Sequence, residues 1–174
     1  FVLFSYYNPI FKLGLENSAK LSRENGINAW LSVDVPLEES GEISGVLAEN
    51  GIELIPLAAP TSGLERVRKI SESGSGFLYY VTVAGVTGAR KSLPETFAKR
   101  LAEVRKVSVL PVAAGFGISS PEMAHAAAQS ADAVVVGSRL VDLAFTTYLE
   151  KGEEAALKAA GDFVASLAAA VRRD

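Results

Sequence analysis

Short apolar runs alternate along the chain with longer stretches of mixed polarity at helical spacing. Phe1–Ser5 (FVLFS), Ile27–Val33 (INAWLSV), Ile52–Ala58 (IELIPLA), Phe77–Val81 (FLYYV), Val109–Ala114 (VLPVAA) and Ala133–Val136 (AVVV) are the apolar runs. Their length and continuity predict strands buried on both faces of a parallel sheet. Tyr6–Pro9 ends the first, because proline removes a ladder donor and restricts the residue before it. The intervening pattern predicts a helix over Phe11–Asn25, with Leu13, Ala19 and Leu21 as packing residues and Gly26 as C-cap. It predicts another over Glu38–Asn50, with Ile43, Val46 and Leu47 at helical spacing and Gly51 as the stop. Leu64–Ser73 follows, N-capped by Thr61 or Ser62 and ended by Gly74–Gly76. Pro94–Val107 carries its proline in the first turn. Ser119 or Ser120 with Pro121 opens a helix through Gln129. A helix after Gly137–Ser138 runs to about Leu149, and Glu153–Arg173 is the last, rich in alanine.

Strands thus begin near residues 1, 27, 52, 77, 109 and 133, each followed by a helix. The repeat of roughly 25 to 30 residues is that of a (β/α)8 TIM barrel. A doubly wound sheet accommodates six units as well, but no G-x-G-x-x-G follows the first strand. The expected fold is therefore α/β, with 1–174 forming a single domain that covers the last six β-α units of a TIM barrel. Tyr79–Arg90 (YYVTVAGVTGAR) stands out within it. A strand runs there into a long loop with Gly85 and Gly88, and long loops at a strand end are usually functional.

Composition narrows the function classes. The formal net charge is −3, so neither nucleic acid nor an anionic membrane is an expected partner. The absence of cysteine excludes thiolate metal sites and thiol nucleophiles, and a single histidine, His125, excludes clustered-histidine metal sites. FVLFSYYNPIF is too short to span a bilayer and has no basic flank or cleavage site, so a cytoplasmic protein is expected. The chain opens at Phe1, without methionine, inside a core strand, and an upstream part is expected to precede it.

In a barrel the catalytic face is built by the loops after the strands. Asp34 is the only carboxylate placed directly at a strand end; it is a general-base candidate, or else it orders the turn before Pro36 or caps the next helix. Gly117 follows the penultimate strand, and Gly137–Ser138 lies where the last strand turns into a helix. Glycines let backbone N–H groups approach an anion, and a helix N-terminus adds a favourable dipole. These positions form a phosphate site, or else only tight turns. Thr87 engages a ligand or a catalytic carboxylate, or fixes its own loop. Tyr6 and Tyr79 line a pocket or pack. Trp30 reads as core, and His125, Glu49, Arg90 and Lys91 as surface.

Taken together, FSYYNPIF, VDVP, APTS, GFLYYV…GVTGAR, GFGISSPE and VVVGS resemble the alpha subunit of tryptophan synthase, in order and spacing, across essentially the whole chain. The resemblance begins at the family's third strand. It implies a lyase that cleaves indole-3-glycerol phosphate to indole and glyceraldehyde 3-phosphate. It also implies a beta-subunit partner that carries pyridoxal phosphate, in an α2β2 assembly, with no cofactor in this subunit. By the same resemblance Gly88, Gly117, Gly137 and Ser138 match phosphate-binding positions. Tyr6, Leu31, Val33, Leu57, Tyr79 and Phe116 match the substrate pocket, and Thr87 matches a lid threonine that meets a catalytic aspartate. YNPIF and the loop after Asp34 match surfaces facing the beta subunit. The family's catalytic glutamate and aspartate fall upstream of Phe1, so the stretch alone is expected to be inactive. Thr82–Val83 stands where the family commonly has serine–arginine.

Overall fold

A computed structural model describes residues 1–81, 95–115 and 117–172, with the backbone alone described at Glu95. The chain divides into two compact units, Phe1–Tyr80 with Lys106–Val112, and Val81–Arg105 with Ala113–Asp174.

The first unit contains the strands β1 (Val2–Ser5), β2 (Ala29–Ser32), β3 (Glu53–Leu54), β4 (Leu57–Ala58) and β5 (Leu78–Val81). Its helices are α1 (Tyr7–Leu13), α2 (Leu15–Glu24), α3 (Ser40–Glu49) and α4 (Leu64–Glu72), with a 3₁₀ turn at Leu37–Glu39. All recorded pairings are parallel: Val2↔Ala29 through Ser5↔Ser32, Trp30↔Leu54, and Leu57↔Tyr79. The β-α repeat read from the apolar runs is therefore present.

Four local expectations are corrected. The strand over Ile52–Ala58 is two short strands, interrupted where Pro56 has no N–H for a ladder. At the break the neighbour changes: Ile55 N–H donates to the Trp30 carbonyl at 2.8 Å, while the Pro56 carbonyl accepts from Tyr79 N–H at 2.9 Å. The helix over Phe11–Asn25 is two helices, split at Gly14 (φ 87°), and the first starts already at Tyr7. Pro9 is tolerated because it falls in the first turn, where N–H groups have no intrahelical acceptor. Leu13 and Leu21 are exposed rather than packed, whereas Ala19 is fully buried; Leu21, two residues on in the same helix, falls on the opposite face. Neither Thr61 nor Ser62 caps α4. Gly63 holds that position, and Ser62 Oγ accepts from Ala59 N–H at 3.3 Å instead. Val109–Leu110 is a turn closed by Ser108, whose hydroxyl donates to the Leu110 carbonyl at 2.7 Å. The strand there begins only after Pro111.

The core of this unit gathers Ile10, Ala19, Trp30, Ile43, Leu47 and Ile52. Trp30 is 1% exposed, and its indole N–H donates to Ser22 Oγ at 2.9 Å. Gly74 lies where a Cβ would stand 2.5 Å from Pro56 Cδ and 2.8 Å from the Leu54 carbonyl oxygen, so only glycine fits there.

The second unit carries most of α5 (Glu95–Val107), then β6 (Val112–Gly115), α6 (Pro121–Ala128), β7 (Ala133–Val135), α7 (Ser138–Lys151) and α8 (Glu153–Val171). β6 and β7 pair in parallel, from Ala113↔Ala133 to Gly115↔Val135. Ser120 caps α6 as expected, accepting from Met123 N–H at 3.3 Å, with Pro121 in the first turn. His125 is exposed, and its Nδ1 lies 2.8 Å from the Ala170 carbonyl oxygen, tying α6 to the end of α8. Among the described residues no helix is long and apolar enough to cross a membrane.

Candidate functional site

In the first unit the strands place an apolar wall. Paired residues of parallel strands point to the same side, and side chains alternate along each strand. Leu31 is opposite Phe4, and Leu57 is opposite Tyr79. The Phe4 and Tyr79 rings lie 5.7 Å apart at 47°, so both pairs share one side, to which Val33 also belongs by alternation. Leu31 and Tyr79 are buried and Val33 and Leu57 partly buried. Burial raises the Tyr79 phenol above its ordinary pKa, so it remains a neutral hydroxyl at physiological pH. Tyr6 is 66% exposed, in extended conformation at the N-cap of α1.

Asp34 has a defined structural task. Its Oδ1 accepts from the backbone N–H of Tyr7 at 2.8 Å and from Ser32 Oγ at 3.0 Å. It thereby supports α1, not the helix that follows it in sequence. Ser32 was not singled out from sequence. The only cue is a hydroxyl two residues before the carboxylate, a spacing that suits a local Asx-type contact.

Two hollows border this region. One, of about 330 Å³, is lined by the Ser32–Leu37 loop, residues 54–57 and the α4 side chains Arg66 and Ile70. The other, of about 760 Å³, is a cleft between Tyr7, Asn8 and Phe11 of α1 and an acidic wall of Glu38, Glu39 and Glu42. Arg66 grips Glu38 with two hydrogen bonds, at 2.8 and 3.0 Å. That bond holds the Glu38 carboxyl below its usual range and the guanidinium above its own. Nothing in the sequence spacing pairs these two residues, which come together only through the fold.

In the second unit the last ladder pair, Gly115↔Val135, places Gly117 and Gly137 each two residues beyond the same sheet end. Gly117 adopts φ 75°, a left-handed conformation that a side chain would strain. Gly137 is the N-cap of α7 and offers no side-chain cap, while Ser138 is the helix's first residue; both are exposed. The Gly137 carbonyl accepts from Leu140 N–H at 2.9 Å and from Val141 N–H at 3.2 Å, starting the helix ladder. Uncapped first-turn N–H groups beside glycine form the arrangement that receives an anion. Thr82–Val83, Thr87, Gly88, Arg90, Lys91 and Phe116 lie outside the described residues.

Comparison with known proteins bears on the chain as a whole. The family model "Tryptophan synthase alpha chain" matches residues 1–172. The tryptophan synthase alpha chain of Geobacter sp. (strain M21) is 47% identical over 167 residues, covering 95% of this chain and 61% of that protein. The Aquifex aeolicus alpha chain is 45% identical over 145 residues, covering 83% of this chain and 55% of that one. Among solved structures, the alpha chain from Legionella pneumophila superposes with a TM-score of 0.85 at 34% identity, over 98% of this chain and 62% of that one. A chain of the tryptophan synthase α2β2 complex from Pyrococcus furiosus gives 0.83 at 35% identity, over 97% and 66%. The chain therefore spans just over three-fifths of the Geobacter relative's length, and its α/β fold is the part of the TIM barrel those relatives share with it. A match running from the first residue almost to the last leads to one assignment: the chain belongs to the tryptophan synthase alpha chain family.

Proposed function

We propose that the protein carrying this sequence is a carbon–carbon lyase that cleaves indole-3-glycerol phosphate to indole and glyceraldehyde 3-phosphate in tryptophan biosynthesis. The observation that carries this reading is the family match over residues 1–172. Tyr6, Leu31, Val33, Leu57, Tyr79 and Phe116 wall the indole, and Gly88, Gly117, Gly137 and Ser138 hold the phosphate through backbone N–H groups and the Ser138 hydroxyl. Thr87 supports the lid. The apolar side chains of Leu31 and Val33 suit an aromatic bicycle, and the glycine set suits a dianion.

The reaction is a retro-aldol cleavage. A proton goes to indole C3, the proton of the adjacent glycerol hydroxyl is removed, and the bond between indole C3 and the glycerol carbon breaks to leave an aldehyde. Two positioned acid–base groups are needed. Asp34 is not assigned to either role, since its carboxylate already serves Tyr7 and Ser32. The pair is supplied by a glutamate and an aspartate outside residues 1–174, and the stretch alone is inactive. The cleft beside α1 faces a beta subunit in an α2β2 assembly, and pyridoxal phosphate belongs to that partner. The working compartment is the cytoplasm.

Genetic complementation tests the reading. The natural protein carrying this sequence should restore tryptophan-independent growth to a bacterium that lacks its own alpha chain and keeps its beta chain. Expression of folded protein without growth, in cells that do grow on added indole, would overturn it.

A further inference from the structure

Asp34 sits where the two features of the first unit meet. Together with Val35 it lines both the 330 Å³ hollow and the 760 Å³ cleft, so the Asp34–Val35 segment is the wall between them. A single oxygen of its carboxylate receives the N–H of Tyr7, the first residue of α1, and the hydroxyl of Ser32, the last residue of β2. The register Ser5↔Ser32 places the end of β1 beside the end of β2. The carboxylate therefore fixes the β1–α1 turn relative to β2. Tyr6, the residue just before the anchored N–H, is extended and exposed. Tyr7, Asn8 and Phe11, from the anchored residue onward, line the cleft. Charge-assisted bonds of this kind are stronger than neutral ones and hold a geometry well.

We propose that Asp34 is a positioning residue that couples the substrate pocket to the partner-facing cleft: by anchoring the start of α1, it sets Tyr6 on the pocket side and Tyr7, Asn8 and Phe11 on the partner side. This rests on the functional reading given above. It requires an acceptor oxygen at position 34, which the charge strengthens, and not its basicity. Releasing the anchor lets α1 shift as a unit, so substrate binding and partner binding weaken together while the chemical step is spared.

The test compares Asp34→Ala, Asp34→Asn and Ser32→Ala in the full protein. Lyase KM and kcat, the dissociation constant for the beta subunit, and the thermal midpoint are measured for each. D34A removes the acceptor and should raise both KM and the partner dissociation constant about tenfold, the loss of a charge-assisted hydrogen bond, with kcat within about threefold of the parent. D34N keeps an oxygen in place and should stay within about threefold on both. S32A removes one of the two tethers and should move both constants in the same direction, by less. If D34A is not recovered folded, D34N and S32A decide the matter. A kcat collapse in D34N would make the charge essential and overturn the proposal. Unchanged KM and partner affinity in D34A or S32A, with only the midpoint lowered, would overturn it too. Loss of all lyase activity in the parent protein would instead strike the functional reading, so the two failures are distinguishable.

Discussion

A polypeptide of residues 1–174 by itself will release indole from indole-3-glycerol phosphate at least about 10⁴-fold more slowly than a full-length family alpha chain. The size follows from the chemistry: each of two proton-transfer groups contributes about 10²–10⁴-fold, and both are assigned outside this stretch. The candidate within it, Asp34, is held by a backbone N–H and a hydroxyl and is tied to structure. Gly117, Gly137 and Ser138, proposed above for the phosphate, lie within the stretch, so the expected deficit is in proton transfer. Steady-state indole release under matched conditions measures this. Turnover within about tenfold of a full-length chain would show that the acid–base groups lie among these residues after all.

Trp30→Ala is expected to cost about 3–5 kcal/mol of stability, the usual range for emptying a large aromatic site. Trp30 is 1% exposed and packs in the cluster with Ile10, Ala19, Ile43, Leu47 and Ile52, which joins α1, α2 and α3 to the sheet. Its indole N–H also satisfies Ser22, itself only 8% exposed, so truncation strands a buried hydroxyl as well. Ser22→Ala alone should cost about 1 kcal/mol, the net value of one hydrogen bond. Urea unfolding followed by circular dichroism is the suitable readout, because Trp30 is the chain's only tryptophan and its fluorescence vanishes in the variant. A loss below about 1 kcal/mol at unchanged m-value would mean that the cluster is not the core of the first unit.

The alternation of apolar runs and helical spacing made the β-α order legible, since each run had only one kind of neighbour. Trp30 was recognisable as core because an aromatic within a buried strand has nowhere else to go. Boundaries were less legible where a single residue changes the outcome. Gly14 at φ 87° breaks a pattern that is helical on both sides, and Leu21 is exposed because it lies about 200° around α2 from the buried Ala19. Pro56 divides one apolar run between two neighbouring strands, which hydropathy does not register. The glycine turns at Gly117 and Gly137 were readable because each follows an apolar run, and the register then puts both at one sheet end. The bond from Tyr7 to Asp34 spans 27 positions, and the Glu38–Arg66 pair spans 28. Both depend on how helices return to the sheet, so no local pattern announces them.

Product analysis tests the central claim most directly. The natural protein carrying this sequence is incubated with indole-3-glycerol phosphate, alone and with a family beta subunit, and the products are separated and quantified. Indole and glyceraldehyde 3-phosphate in one-to-one amounts, formed faster when the beta subunit is present, is the result this account predicts. An isomerised phosphorylated product with no indole, in either condition, would contradict it.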